Sequence, residues 1–289
     1  MINDIALKLE FPDEAVEYLN ESLEKLNNTD GISDLLSAAK EAFFSNPDHT
    51  YLEILQEIAD ITDVNRYTVD MLFLLLNTER VHKEYKKRNL SDELFYEAMS
   101  DLRFKLYECK YLYGVWGTFV TSWFKNGFLL NRFKLGRLQY QTGTCPIDEY
   151  RGIVKKGDPI YYVHIPSSGP LCYEEVVDSL KAAYRFYTDN LKDGKLILFC
   201  ESWLLYPPLF DNYNEKSNIK KFYNLFDILK VIDDPKNSDF WRVFNVNYSP
   251  MALETVSVDN SLKRTVADHL KNGGTMGEGI GVFIIDENF

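Results

Sequence analysis

The chain has 289 residues, of which 45% are apolar and 15% aromatic, so it can bury a sizeable core and is not a disordered segment. Its net charge is −12, and residues 1–64 hold fifteen acids against three bases while the remainder carries 29 of each. That acidic first part repels nucleic acid and anionic membranes, so neither is an expected partner. The longest apolar run, MLFLLL at 71–76, falls far short of the roughly 18 residues that a membrane span requires. The opening MINDIALKLEF has no basic start, apolar core or small-residue cleavage site, so it does not read as a signal peptide. The four cysteines, at 109, 145, 172 and 200, form no CxxC pair and have no His at metal-ligand spacing. Reduced thiols, a cytoplasmic location and no metal are expected.

The length favours two domains. The first 110 residues read as helices. Phe11-Pro12-Asp13-Glu14 opens one, with Pro at the first helical position and acids at the positive pole. Thr50-x-x-Glu53 has a capping-box pattern. Ser91-Asp92-Glu93 starts another helix, with apolar residues at 94, 95, 98, 102, 106 and 109. The basic segment VHKEYKKRN, 81–89, is either an anion contact or the charged C-terminal end of a helix; the second reading is preferred.

From about residue 128 the pattern changes. FLLNRFKLGRLQYQTG suits a strand, IDEYRGIVKKGD a second, and DPIYYVHIP a third with Pro159 at its start. CYEEVVDSLKAAYRFY is an amphipathic helix, and KLILFCESWLL, 195–205, a buried strand. A loop rich in Pro and Asn leads to Ser217, which caps a helix over NIKKFYNLFDILKVI. FWRVFNV reads as a short strand, NSLKRTVADHLKNGG as a helix stopped by Gly273-Gly274, and GIGVFIID as a closing strand. The order β-β-β-α-β-α-β-α-β argues a mixed sheet, and the whole an α+β chain.

At 161–175, YYVHIPSSGPLCYEE crowds a strand end, a turn and a helix start together. Exposed backbone N–H groups at such a junction suit an anion. Ser167 and Ser168 add hydroxyl donors, and Gly169 permits close approach or positive φ. The same residues also make an ordinary turn. His164, at the strand end, has an unperturbed pKa of about 6.5 and is either a base or a structural residue bound to a carbonyl. Glu201, after LILFC, is either a base or anchor for a cationic acceptor, or a cap or ion-pair partner. No G-x-S-x-G elbow surrounds the serines, and Cys200 sits in an apolar strand where a thiol is inert. P-loop, Rossmann, HExxH and EF-hand signatures are absent from the sequence.

LGRLQY (135–140), HIPSSGPL (164–171), CESWLL (200–205), SNIKKF (217–222) and TVADHLKNGG (265–274) occur in this order. Together they resemble a bacterial acyltransferase-like family that pairs a helical N-acyltransferase N-terminal domain with a GNAT-like C-terminal domain. The resemblance implies an all-helical domain over 1–130 and a GNAT-like mixed sheet domain over 131–289. It implies an acyl-CoA co-substrate, acetyl-CoA above all, and a small-molecule or peptide amine as acceptor. It places the coenzyme A turn at Ile165–Leu171, making Ile165, Ser167, Ser168, Gly169, Leu171 and Asn218 its binding residues. It gives Tyr223 the part of the acid that protonates the leaving thiolate, with packing in a helical stripe as the alternative. Catalysis would rest on His164, Glu201 and Tyr223. The turn departs from the Gln/Arg-x-x-Gly-x-Gly/Ala pattern of the wider fold, having one Gly and two prolines. The usual acidic base on the central strands has no evident counterpart. The alternatives are a GNAT-like ligand-binding or regulatory protein without turnover, and an interaction protein acting through its acidic helical half.

Overall fold

The computed structural model describes residues 2–45, 49–211 and 213–289. Met1 of the helical domain, Asp48 of the acidic stretch and Asn212 of the Pro- and Asn-rich loop therefore lie outside the described residues. The chain divides into two compact units, Met1–Phe133 and Lys134–Phe289.

The first unit is helical: α1 (Ile2–Lys8), α2 (Asp13–Asn27), α3 (Ile32–Ser45), α4 (Thr50–Thr62), α5 (Arg66–Lys87), α6 (Asp92–Met99), α7 (Asp101–Tyr113) and α8 (Thr121–Phe128). Pro12 is the extended residue before α2, one place earlier than expected, with Asp13 and Glu14 in the first turn. Ser91 caps α6 by accepting from the Leu94 amide at 3.2 Å. Thr50 is already helical; His49 holds the cap position and no side chain caps α4, so the capping-box reading fails there. Met71 to Leu75 are all buried at the centre of α5. Phe43 on α3 forms an aromatic hub, meeting Tyr51, Phe73 and Phe128 edge-on at 5.0, 5.3 and 5.8 Å. The basic segment 81–89 covers the end of α5, where Glu79 and Glu84 pair with Lys83 and Lys87, each at 2.6 Å. Among the described residues no helix is long and apolar enough to cross a membrane.

The second unit is the mixed sheet. Its elements in chain order are β1 (Arg132–Leu135), β2 (Leu138–Thr144), β3 (Glu149–Tyr150), β4 (Val154–Lys155), β5 (Pro159–His164), α9 (Tyr173–Phe186) and β6 (Leu196–Ser202). There follow α10 (Pro207–Phe210), α11 (Asn218–Tyr223), β7 (Asp227–Asp234), α12 (Phe240–Phe244), α13 (Pro250–Thr255), α14 (Ser261–Lys271) and β8 (Met276–Ile285). The main sheet has the order β1-β2-β5-β6-β8-β7. Strands β5 and β6 pair in parallel; β2–β5, β6–β8 and β7–β8 are antiparallel.

Five expectations are corrected. The strand over 128–143 breaks at Gly136, whose φ of 73° turns the chain between β1 and β2. The stretch 147–158 is no single strand: Arg151 and Gly152 take φ of 51° and 69° and fold it into the separate β3–β4 hairpin. The helix after Ser217 stops at Tyr223, and Asp227–Asp234 is a strand on β8. There the β-branched Ile228, Val231 and Ile232 gain a ladder that a helix would deny them. FWRVFNV is helix α12: Phe240 and Phe244 stack at 4.4 Å at i,i+4 spacing, Asp239 pairs with Arg242, and Asn245 ends the turn at φ 57°. Strand β6 also ends earlier than expected, at Ser202, and Trp203–Leu205 form one 3-10 turn.

The sheet's two faces are covered differently. On one, α9 is tied to β1 and β2 through Ser179, whose hydroxyl donates to the Leu135 carbonyl and lies 3.0 Å from the Tyr140 hydroxyl. Tyr161 meets Tyr187 on this face at 4.0 Å between ring centres. On the other face, Ile160, Ile197, Phe199 and Val282 form a buried cluster with Cys145 and with Val154 of the small hairpin.

Candidate functional site

The pairing of β5 with β6 runs through Tyr161–Leu198 and Tyr162–Phe199 and then ends among the described residues. Beyond it, β5 stays on β2 as far as His164, and β6 stays on β8 as far as Ser202. The tips of the two central strands therefore part. Side chains alternate along a strand, so Tyr162 and His164 share a face with Phe199 and Glu201. Gln139, opposite His164, joins them from β2. Ile280, opposite Glu201, joins from β8, and Glu278 follows two residues away on the same face. The parting tips are thus rimmed on one side by an imidazole and two carboxyls.

Glu278 is pushed up to about 7 by burial and by the Glu201 carboxyl, with Asp239 and Asp234 adding negative charge. The sequence reading gave Glu278 of β8 no part. Its signal was a lone acid in GEGIG, within an otherwise apolar closing strand. The glycines let the chain behind approach closely: a methyl at Gly279 would collide with the Leu205 carbonyl oxygen. Cys200 points to the helix-covered face, where burial pushes its thiol far above the ordinary range, so it offers no nucleophile.

After His164 the chain passes through Ile165 and turns at Pro166–Pro170 into α9. Gly169 takes φ 96°, the left-handed region, with open space around it. Ser167 and Gly169 are exposed, and Ile165, Ser168 and Leu171 half-buried. Arg137 holds this turn from behind, while the Cys172 amide donates to the Pro170 carbonyl at 3.1 Å. The guanidinium of Arg137 donates to the carbonyls of Pro166 at 3.0 Å, Gly169 at 2.9 Å and Pro170 at 3.2 Å. LGRLQY carries part of the resemblance, yet nothing local marks Arg137 for a contact with residues about 30 positions ahead. Cys172 precedes α9 without a side-chain cap, and its thiol donates to Glu174 at 3.1 Å. That contact holds the Glu174 carboxyl below its ordinary range.

Helix α11 lies beside the start of α9: the Lys221 ammonium stands 5.4 Å from the Tyr173 ring centre. Ser217 caps α11 by accepting from the Lys220 amide at 3.0 Å, which makes Asn218 its first residue. Tyr223, its last, donates to Asp211 at 2.6 Å, and burial followed by that carboxylate raises its hydroxyl well above the ordinary range. The structure thus brings His164 and Glu201 to one face at the parted tips, and places the 165–171 turn, Asn218 and Tyr223 on the neighbouring turn and α11. Among the described residues no group of three or more His, Cys, Asp or Glu could hold a metal ion.

Residues 1–129 match the N-acyltransferase N-terminal domain, and residues 132–283 match the GNAT-like C-terminal domain. The chain belongs to this acyltransferase-like family. Solved structures agree on the fold. A crystal structure of an acyltransferase in complex with decanoyl-CoA and teicoplanin is 20% identical, covering 98% of this chain and 99% of that one, with a TM-score of 0.66. A structure with CoA and 10C-teicoplanin is 21% identical, and a mutant with octanoyl-CoA is 20% identical; both cover 98% of each chain at a TM-score of 0.66. No curated protein matches. For this GNAT-like family member, identities so low establish a shared architecture across both units.

Proposed function

We propose that the protein is an acyl-CoA-dependent N-acyltransferase that moves an acyl group from coenzyme A to an amine by direct attack. The observation that carries the reading is the parting of β5 and β6 with His164, Glu201 and Glu278 on one face of the gap. The acyl-CoA complexes of the similar structures support the donor. Their teicoplanin complexes support a small-molecule or peptide acceptor.

The chemistry follows from the groups in place. The acceptor amine loses a proton, its nitrogen bonds to the thioester carbonyl carbon, and the carbon–sulfur bond breaks with the electron pair leaving on sulfur. A proton acceptor works best when its pKa lies near the working pH. Glu278, held up by burial and the Glu201 carboxyl, meets that condition, with His164 across the gap as the second acceptor. Tyr223 returns a proton to the thiolate, its hydroxyl oriented by Asp211 until the sulfur takes that place. The 165–171 turn and Lys221, beside the start of α9, receive the coenzyme's phosphates.

The test is thiol release from a series of acyl-CoAs, acetyl to decanoyl, against a panel of amines. Free thiol appearing together with the acylated amine is expected, and the chain that gives the largest kcat/KM identifies the acyl group. Thiol release with no dependence on any amine overturns the transfer reading. Binding without turnover would make the protein a ligand-binding member of the fold.

A further inference from the structure

We propose that Arg137 is the positioning residue that turns the 166–170 loop into an anion cradle; the inference rests on the coenzyme A reading of that turn. A trans peptide holds its carbonyl and its N–H on opposite sides. The Arg137 guanidinium gathers the carbonyls of Pro166, Gly169 and Pro170 onto itself. The N–H groups paired with the first and last of them belong to Ser167 and Leu171, and so point away from the guanidinium. The middle peptide ends in Pro170 and has no N–H to orient. The turn's negative ends face inward, and two of its donors face outward.

The guanidinium adds a second effect. Arg137 is 8% exposed, so its charge lies behind the turn and shielded from water. Burial lowers its pKa and Glu175 raises it, but a guanidinium stays protonated at any working pH. An anion on the outer side therefore meets N–H donors in front and a fixed positive charge behind them. The two prolines, which remove N–H groups, fit this design: they rigidify the loop while Arg137 decides which of its atoms face out.

The placement of Arg137 is itself built. Gly136 makes the β1–β2 turn at φ 73°. Ser179 of α9, fully buried, accepts from the Leu138 amide at 3.2 Å and donates to the Leu135 carbonyl. The residues flanking Arg137 are thereby fixed to the helix that starts after the loop. A lysine at 137 would keep the charge but lose the planar fork that reaches three carbonyls.

The test measures CoA binding by calorimetry on the full chain, with melting temperature recorded in parallel. R137K, assayed where it is folded, is expected to raise the Kd for CoA about tenfold or more, since each tenfold corresponds to roughly 1.4 kcal/mol. Its kcat at saturating acyl-CoA should stay within about twofold, because the loop binds the coenzyme and does not touch the reacting atoms. R137G should lose binding and regain it with millimolar guanidinium, but not with sodium chloride of equal ionic strength. A folded R137K with a lower melting temperature and an unchanged Kd for CoA would show a purely structural role and overturn the inference alone. A wild-type chain that binds no CoA would overturn the reading of the turn, and this inference with it.

Discussion

Glu278 concentrates the residue-scale argument. A free glutamate ionises near pH 4.3, whereas this one is held up to about 7 by burial, by the Glu201 carboxyl and by Asp239 and Asp234. As a base it is competent only once ionised, so kcat/KM should rise between pH 6 and 8 with a midpoint near 7. E278Q should remove that limb and lower kcat by about a hundredfold. If the limb survives in E278Q but is lost in H164A, the proton goes to His164. The stability consequence has a definite sign. A raised carboxyl pKa means the folded chain holds a proton that the unfolded chain releases, so stability falls as pH rises from about 4.5 through 7. The group is only half-buried, so screening cuts the effect to about 1 kcal/mol, and E278Q should recover that amount at pH 8 but not at pH 5. Urea melts of both proteins at the two pH values read it directly. The places of His164 and Glu201 near strand ends were legible because each follows a recognisable strand pattern. Glu278 and Arg137 were not, because their meaning comes from cross-strand partners far away in sequence.

At the scale of elements, the strands β5, β6 and β8 and the helices α9 and α14 followed their patterns closely. Two of the failures were unrecognised turns, at Gly136 and at Arg151–Gly152; two others share one physical source. Short aromatic segments carry little periodicity, and tertiary pairing decides them. Asp227–Asp234 continues a helical stripe on paper, yet it becomes an edge strand because β8 offers it a ladder. Phe240–Phe244 looks β-forming, yet its two end rings stack along one helical turn. Strand β8 itself depends on its glycines. Gly279 stands opposite Ser202, where the chain leaves β6 for the 3-10 turn, and Leu205 comes down against it. Gly279→Ala should therefore cost about 3 kcal/mol, the range for overpacking a tight contact. The loss would appear as a lower urea midpoint, and a melt identical to wild type would show that the turn has room to move.

For the whole molecule, the charge map and the fold give different information. The −12 of the chain equals the balance of residues 1–64; by unit, Met1–Phe133 has 14 bases and 23 acids, a net −9, and Lys134–Phe289 has 18 bases and 21 acids, a net −3, so the helical unit carries most of the acidity. Charge of this kind bears on solubility and on which partners are repelled, not on fold. The fold was legible because five separated strings kept their order across the second unit, whereas the first unit showed only helical character. The GNAT-like half could thus be placed from sequence, while the parting of β5 and β6 depends on strand pairings that no local pattern marks. That parting, with its imidazole and carboxyls beside a clamped turn, is what makes acyl transfer from coenzyme A the central claim. Calorimetric titration of the full chain with decanoyl-CoA and acetyl-CoA tests it most directly. Saturable one-to-one binding of an acyl-CoA, weakened in R137K, is the expected result; no heat and no thermal stabilisation with either thioester or with free CoA would contradict it.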